Sequence, residues 1–434
     1  MDIHISRSLN RHLLWKSLGL GVNLIITILI ARFLEASVSG QFFYFLSWMS
    51  LLVLAASLSL DSSITYFLAS KKMIAQHLSA VALIWIFFVL CLFILIGFIY
   101  GDTISSLIVL PADGILLGLC FIAGQLMINY FTAFFYGEHK FVLPAKLLFF
   151  SSIFYMGFLL FYASENNPSH LQHKTIITSY VYLILIQGIA MMLAVLFSKN
   201  AQPLSFVFDM TILKQLFLYS SIAFSANILF FLATRIDYWL LNHFHTDAIA
   251  LGNYIQVSRI VQLFQLFPSL LAAFIFPLVA SNKEKMIPYL IFLCRIILLL
   301  DLLCVLILGF FGGFLFPFIF GESFRQMHQL FLLLIPGIFA LSILAVLSAY
   351  FAGVNKVSIN MLGSLAALVT IAVLNYFLIP LYDVKAAAVV SSIGYTVCVL
   401  VAFYFLKRNI NIRIKDLLWI NFAEIKNMYK IIMN

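Results

Sequence analysis

The chain has very little charge. Only 9% of its 434 residues are Asp, Glu, Lys or Arg, and 64% are hydrophobic. A water-soluble domain carries about 25% charged and about 45–50% apolar residues. That shortage excludes a fold whose only solvent is water, because too little polar surface remains to cover the apolar side chains. Long polar segments are also lacking. The longest, near 164–174 and 198–213, are too short to fold as domains. No GxxxxGK[ST] occurs, so no phosphate loop and no built-in ATPase is expected. There is no HExxH and no paired Cys/His spacing. His243 and His245 stand two apart in HFHTD (243–247), which reads as an interfacial loop rather than a metal site. The five cysteines, Cys91, Cys120, Cys294, Cys304 and Cys398, lie inside apolar runs without CxxC spacing. They read as small buried hydrophobes, not as a disulfide framework. No cofactor is therefore expected, and not an enzyme but a transporter, driven by an ion gradient or by substrate mass action. No cleavable leader is expected either, since the first apolar run is full length and passes through ARFLEAS (31–37) into a second.

What is present is a succession of apolar runs of about 20 residues, the length a hydrocarbon core of about 30 Å demands of a helix. They are continuous rather than alternating, which argues against barrel strands. Spans are predicted near 13–33, 41–69, 78–100, 113–136, 142–163 and 175–197, then 214–241, 248–279, 286–312, 328–352, 357–379 and 385–406. The net charge of +9 reads as topology, not as affinity for nucleic acid. With the N-terminus inside, 18 of the 25 basic residues fall on the cytoplasmic side, and only Arg32, Lys174, Arg325 and Lys385 on the other. An even number of spans with both termini in the cytoplasm follows. The tail beyond 408 has a sparse amphipathic pattern (Ile410, Ile412, Leu417, Leu418, Ile420, Phe422) and is expected to lie on the inner membrane surface.

The two halves resemble each other. FYGEHK (135–140) pairs with FAGVNK (351–356), IYGD (99–102) with IFGE (319–322), and SGQFFYF (39–45) with LGNYIQV (251–257), in the same order and at nearly the same offset. Six spans is an even number, so both units keep one orientation, as in transporters with parallel repeats. The expected organisation is an N-terminal lobe at 1–200, a C-terminal lobe at 201–408 and a cytoplasmic or interfacial tail at 409–434. The fold class is an all-α polytopic membrane protein, about twelve transmembrane helices in two six-helix pseudo-repeat lobes around a central cavity.

Polar residues inside the spans locate the wet faces, since in lipid every polar group needs a partner or water. At 100° per residue, Ser220, Asn227, Thr234 and Tyr238 form a stripe on the seventh span, with Arg235 beside it. Ser258, Gln262 and Gln265 line the eighth, flanked by Arg259. Ser47, Ser50, Ser57 and Asp61 share a face of the second, Lys16, Asn23 and Thr27 of the first, and Gln125, Asn129 and Thr132 of the fourth. A hydrated cavity between two lobes is one reading; Ser and Thr bonding back to their own helices is the other. Charges are costlier, about 2.5–3.5 kcal/mol at mid-span. Arg259, near midplane, is assigned to the cavity wall. Arg235 and Asp237, two apart, form either a local pair or a substrate contact. Asp61 serves either a closing contact or a proton-linked role. Arg295 and Asp301 lie about 120° apart on the ninth span and are not expected to pair; the other reading of Arg295 is a side chain that snorkels to the interface. Prolines at Pro144, Pro268, Pro277 and Pro336 mark bends that serve alternating access or are static kinks.

The stretch TRIDYWLLNHF (234–244) through ALGNYIQVSRIVQLFQLFPSLLAAFIFPLVA (250–280), with GESF (321–324) and NYFLIPLYDVKAAAVVSSIGY (375–395), resembles the multidrug/oligosaccharidyl-lipid/polysaccharide exporter superfamily. Within it, the chain looks like the bacterial polysaccharide-biosynthesis flippases that move O-antigen units, over roughly residues 10–408. The resemblance implies a cationic cavity holding the pyrophosphate or acidic sugars of an undecaprenyl-linked oligosaccharide. Arg259, Arg235, Lys16 and Arg295 would bind the substrate, and Asn23, Asn227, Gln262 and Gln125 would line the cavity. Asp61, Asp237 and Asp301 would serve ion coupling or gating. Drug and cation antiporters of the same superfamily typically carry an acid in the first span. This one has none at 13–33, and Glu35 falls just outside. YDVKAAA (382–388) departs from the family pattern, which has Gly before the Ala run. The implied partners are the lipid-linked oligosaccharide, membrane lipid, and the polymerase and chain-length proteins of the pathway; the implied location is the bacterial inner membrane. The competing readings are an ion-coupled multidrug/cation antiporter and a membrane polymerase or glycosyltransferase, the last disfavoured by the absent extramembrane loop.

Overall fold

The computed structural model describes residues 3–69, 75–107, 114–138, 140–165, 173–197, 210–265, 268, 283–354 and 356–409. The tail from 410, Pro277 and most of 264–282 lie outside them, so the interfacial tail and the end of the eighth span do too. Among the described residues there is no strand. The helices are α1 (Ile3–Ser57), α2 (Leu60–Ala69), α3 (Ala75–Leu107), α4 (Gly114–Gly137), α5 (Val142–Glu165), α6 (His173–Leu196), α7 (Met210–Ala233), α8 (Ile236–His243), α9 (Ala248–Leu263), α10 (Lys283–Phe320), α11 (Met327–Gly353) and α12 (Val357–Asn409). A backbone in lipid has no water to bond, so it closes its own hydrogen bonds as helix. Side chains such as Phe98, Phe154 and Phe310 are at least 80% exposed, as a hydrocarbon solvent allows.

Nine of these helices are long and apolar enough to cross a membrane. Two carry a pair of spans each. In α1 the expected turn at ARFLEAS is a kink at Glu35, whose φ is 57°, and in α12 the corresponding joint is Asp383, with φ 54°. The 55 residues of α1 hold about 80 Å of helix in total, divided at Glu35 into two segments, enough for two crossings of a hydrocarbon core. Eleven of the twelve expected spans are thus accounted for; α9 covers the first part of the eighth, most of whose remainder lies outside the described residues.

Hydropathy did not foretell the breaks. The second span stops at Ser57 and restarts at Leu60, with Leu58 and Ser59 both at positive φ (47° and 53°). Neighbouring side chains satisfy the carbonyls this interruption frees: Trp85 Nε1 donates to Ala56 O (2.8 Å) and Tyr130 OH to Ser57 O (3.0 Å). The seventh span is interrupted at Thr234–Arg235, between α7 and α8. Pro336 lies inside α11, and Ser392 Oγ donates to Leu333 O at 2.9 Å beside it. Pro144 bends nothing, because it is the third residue of α5, where no intrahelical N–H bond is lost.

The chain forms two compact units, Met1–Ile228 and Leu229–Asn434. In the first, α4 and α6 cross at Gly124 and Gly188. A Cβ on Gly124 would stand 2.6 Å from Ile184 O, and one on Gly188 2.5 Å from Gly124 O. Only backbone fits there, the close approach that small residues permit between membrane helices. In the second unit, α9 is buried continuously from Ala250 to Ser258. Asp247 caps it, accepting from the amides of Ile249 and Ala250 at 3.1 Å. Asn253 Nδ2 ties it to Ser323 O in the 3₁₀ turn Glu322–Phe324 at 2.9 Å.

Candidate functional site

The break in the seventh span sets out a polar cluster within the second unit. Arg235, at the break itself, turns its guanidinium along α8. Its Nη1 donates to Tyr238 OH and its Nη2 to Gln262 Oε1 on α9, both at 2.7 Å. The guanidinium carbon lies 5.0 Å from the Tyr238 ring centroid. Both acceptors are neutral, so the two-pronged grip fixes the fork without cancelling its charge. Arg259 lies one turn before Gln262 on the same helix.

Asp237 does not pair with Arg235. It is 1% exposed, and its carboxylate accepts from the Tyr254 hydroxyl, from Ser391 Oγ at 3.1 Å and from the Tyr238 amide at 2.9 Å. Tyr254 OH also lies 3.1 Å from Ser391 Oγ. Three donors converge on one carboxylate, the arrangement that holds a buried charge in place of water. Of the two readings of this charge pair, a direct hydrogen-bonded pair is not what is found: the arginine and the aspartate stand two apart and hold separate hydrogen-bond partners, Arg235 on α8 and α9 and Asp237 on α9 and α12.

No family profile matches this chain, and no curated protein does. Solved structures do. "Lipid II flippase MurJ, inward closed conformation" superposes with a TM-score of 0.72 at 15% identity, over 100% of this chain and 93% of that one. An inward-facing multidrug resistance MATE family transporter of the MOP superfamily gives 0.65 at 15% identity, over 91% and 94%. A MOP superfamily transporter from Pyrococcus furiosus, whose binding pocket is described as having reverse polarity, gives 0.54 at 16% identity, over 94% and 96%. The fold is that of the MOP-superfamily transporters.

Within this fold the remaining sequence-predicted residues scatter. Asn227 Nδ2 donates to Ser59 Oγ at 3.2 Å, joining α7 to the break in the second span inside the first unit. Nearby, Ser63 and Ser220 hydroxyls meet at 2.6 Å. Asp61 follows that break in the first turn of α2. Asn23 serves helix packing: its Oδ1 accepts from Ser152 Oγ (3.2 Å), to which Gln187 Nε2 also donates (3.2 Å). Gln125 is half-buried on α4, and Lys16 is exposed on α1. Arg295 is half-buried on α10, and Asp301 on the same helix is buried. The hydroxyls of Ser47, Ser50 and Ser57 bond back to Tyr44 O, Leu46 O and Leu54 O. That stripe is helix-internal, as Ser in apolar helices commonly is. Tyr254 and Ser391 are partners the stripes did not single out. Tyr254 and Ser391 both lie in the strings that carry the family resemblance.

Proposed function

We propose that the chain is a flippase that translocates an undecaprenyl-pyrophosphate-linked oligosaccharide, of O-antigen repeat-unit type, across the bacterial plasma membrane by alternating access, with both termini in the cytoplasm. The observation that carries this reading is the Arg235 guanidinium, pinned by the neutral Tyr238 hydroxyl and Gln262 amide while Asp237 takes other donors. An arginine held this way keeps its charge for an anion such as a phosphate, which it binds through paired N–H groups. Arg259, one turn before Gln262 on α9, supplies a second positive charge on the same helix. The fold shared with a structure named a lipid II flippase is consistent with this cargo, and so is the absence of an acid from the first span at 13–33. The polymerase and chain-length proteins of the same pathway are its proposed neighbours.

The test is binding of a polyprenyl pyrophosphate by purified protein. Arg235→Ala and Arg259→Ala should each weaken it at least tenfold, and Arg235→Lys should fall between. Unchanged binding by both alanine variants would contradict the reading. A second reading, an ion-coupled multidrug or cation antiporter, draws on the acidic side chains Asp61, Asp237 and Asp301 within helical spans. It predicts cation binding without polyprenyl pyrophosphate binding.

A further inference from the structure

Within the first unit, α1 and α5 lie side by side and are tied at two levels. His12 Nδ1 is 2.8 Å from Phe141 O, just before α5 begins, and Ser152 Oγ donates to Asn23 Oδ1 at 3.2 Å farther along. Both ties use one side of α1. The neighbouring side carries Arg11, Trp15 and Leu18, within about 60° at 100° per residue. On α5, Lys146, Phe150 and Phe154 fall within about 80° by the same spacing. Arg11, Leu18, Phe150 and Phe154 are exposed, and Trp15 and Lys146 are half-buried. Trp15 joins the two faces into one strip. Its ring packs 5.2 Å from Phe149 and 5.7 Å from Phe150, and Lys146 Nζ lies 5.2 Å from the indole centroid.

The charge in this strip is uncompensated. Lys146 has no carboxylate partner among the described residues. From Ile3 onward α1 carries no acid before Glu35, and α5 carries none before Glu165 at its far end. Glu138, the acid nearest to α5 in sequence on its basic side, is engaged with Lys140 at 2.7 Å. A lysine at a membrane boundary ordinarily extends its ammonium into water. Here the ammonium is turned back over an indole face, a cation–π position that holds it in place and leaves its charge unneutralised. The cations collect at one end of the strip. Phe150 and Phe154 follow about 6 Å and 12 Å farther along α5 at 1.5 Å per residue, and Leu18 follows Arg11 on α1. Positive charge at one level and exposed apolar side chains at the next match the profile of a phospholipid, phosphate first and acyl chains after. A zwitterionic lipid brings its own ammonium to the cations, whereas an anionic one brings only negative charge.

We propose that this α1–α5 strip binds an anionic phospholipid of the surrounding bilayer. Arg11 and Lys146 hold the headgroup phosphate, Trp15 positions Lys146, and the acyl chains lie along Leu18, Phe150 and Phe154. The site is one for bulk lipid and does not depend on what cargo the protein moves.

The test uses Trp15 as the reporter, in full-length protein reconstituted into phosphatidylcholine bilayers. Phosphatidylglycerol or phosphatidylcholine with brominated acyl chains is added at equal mole fraction, and tryptophan quenching is followed. The chain has five tryptophans, so the difference between wild type and Trp15→Phe isolates the signal of Trp15. Brominated phosphatidylglycerol should be preferred beside Trp15 by about fivefold or more, since one basic residue contributes about that factor at a membrane surface. Arg11→Gln and Lys146→Gln should each lower the preference, the double variant should abolish it, and Lys146→Arg should keep it. Lys407→Gln with Arg408→Gln removes two exposed charges from the end of α12 and should leave it unchanged. Equal quenching by the two lipids in wild type would overturn the proposal. So would an equal loss of preference in the Lys407/Arg408 control, which marks a diffuse field and not a site. Displacement of the brominated phosphatidylglycerol by an equal mole fraction of polyprenyl pyrophosphate would overturn it in favour of the cargo as occupant.

Discussion

Arg235 Nη2 donates to Gln262 Oε1 at 2.7 Å across the α8–α9 pair, linking two residues from separate spans through a charge-assisted bond. Such a bond is worth about 1.5–3 kcal/mol. Here it orients the guanidinium more than it stabilises the fold. Gln262→Ala should leave the protein folded and lower affinity for a polyprenyl pyrophosphate about tenfold. Gln262→Glu should do worse at neutral pH, because a carboxylate at that position would neutralise the arginine. Titration of both variants against wild type, with thermal unfolding as a control, checks the pair.

The Asp237 network is predicted to be structural as much as functional. Tyr254→Phe removes one of three donors from a wholly buried carboxylate and should cost about 1–3 kcal/mol. Asp237→Ala, which orphans Tyr254 and Ser391 together, should cost more. Thermal unfolding in detergent would show the order wild type, Tyr254→Phe, Asp237→Ala. A neutral Tyr254→Phe would mean that the hydroxyl contact contributes nothing.

The α4–α6 crossing tolerates no side chain. Gly188→Ala should lower stability by about 1–3 kcal/mol through overpacking, since its Cβ would meet Gly124 O at 2.5 Å. Gly157→Ala is the control, because nothing lies within 4 Å of the added carbon. Equal stability of the two variants would refute the close crossing.

His12 precedes the first span and anchors it. Its Nδ1 is 2.8 Å from Phe141 O, and its ring meets Tyr136 edge-on at 5.7 Å. Burial holds the imidazole below its ordinary value of 6.5, against the opposing bond to the Phe141 carbonyl, with the Lys16 charge adding to the lowering. A base depressed in the fold contributes stability in full above the unfolded value near 6.5, and loses it as pH falls through the folded value. Acidification from pH 7.5 to 5 should therefore lower the melting temperature of wild type more than that of His12→Gln. Equal losses would remove His12 as the cause.

Much of the architecture was legible because hydrocarbon imposes a length, and apolar runs of that length recur through the sequence. Hydropathy has no term for where a span breaks. Leu58 and Ser59 look like any other part of the second span, and only Trp85 and Tyr130, distant in sequence, make their conformation tenable by taking up the freed carbonyls. The same holds for the joints at Glu35 and Asp383, where a single residue with non-helical φ/ψ separates two helices. At the site, the helical spacing placed Gln262 with Arg259, and charge near the outer end of the seventh span singled out Arg235 and Asp237. It could not tell that Arg235 reaches for Gln262 instead of Asp237. That choice depends on Tyr254 and Ser391, ordinary residues of apolar runs until α9 and α12 bring them to one carboxylate.

The central claim is that the cargo is a lipid-linked oligosaccharide, and a deletion in the native host tests it most directly. Surface polysaccharide is resolved by electrophoresis, polyprenyl-linked intermediates are extracted and assigned to a leaflet, and the strain is complemented with wild type or Arg235→Ala. The account predicts loss of surface glycan and accumulation of lipid-linked units on the inner leaflet, reversed by wild type and not by the variant. Unchanged glycan with a fall only in drug or cation tolerance would contradict it, and would turn attention from the arginines to Asp61, Asp237 and Asp301.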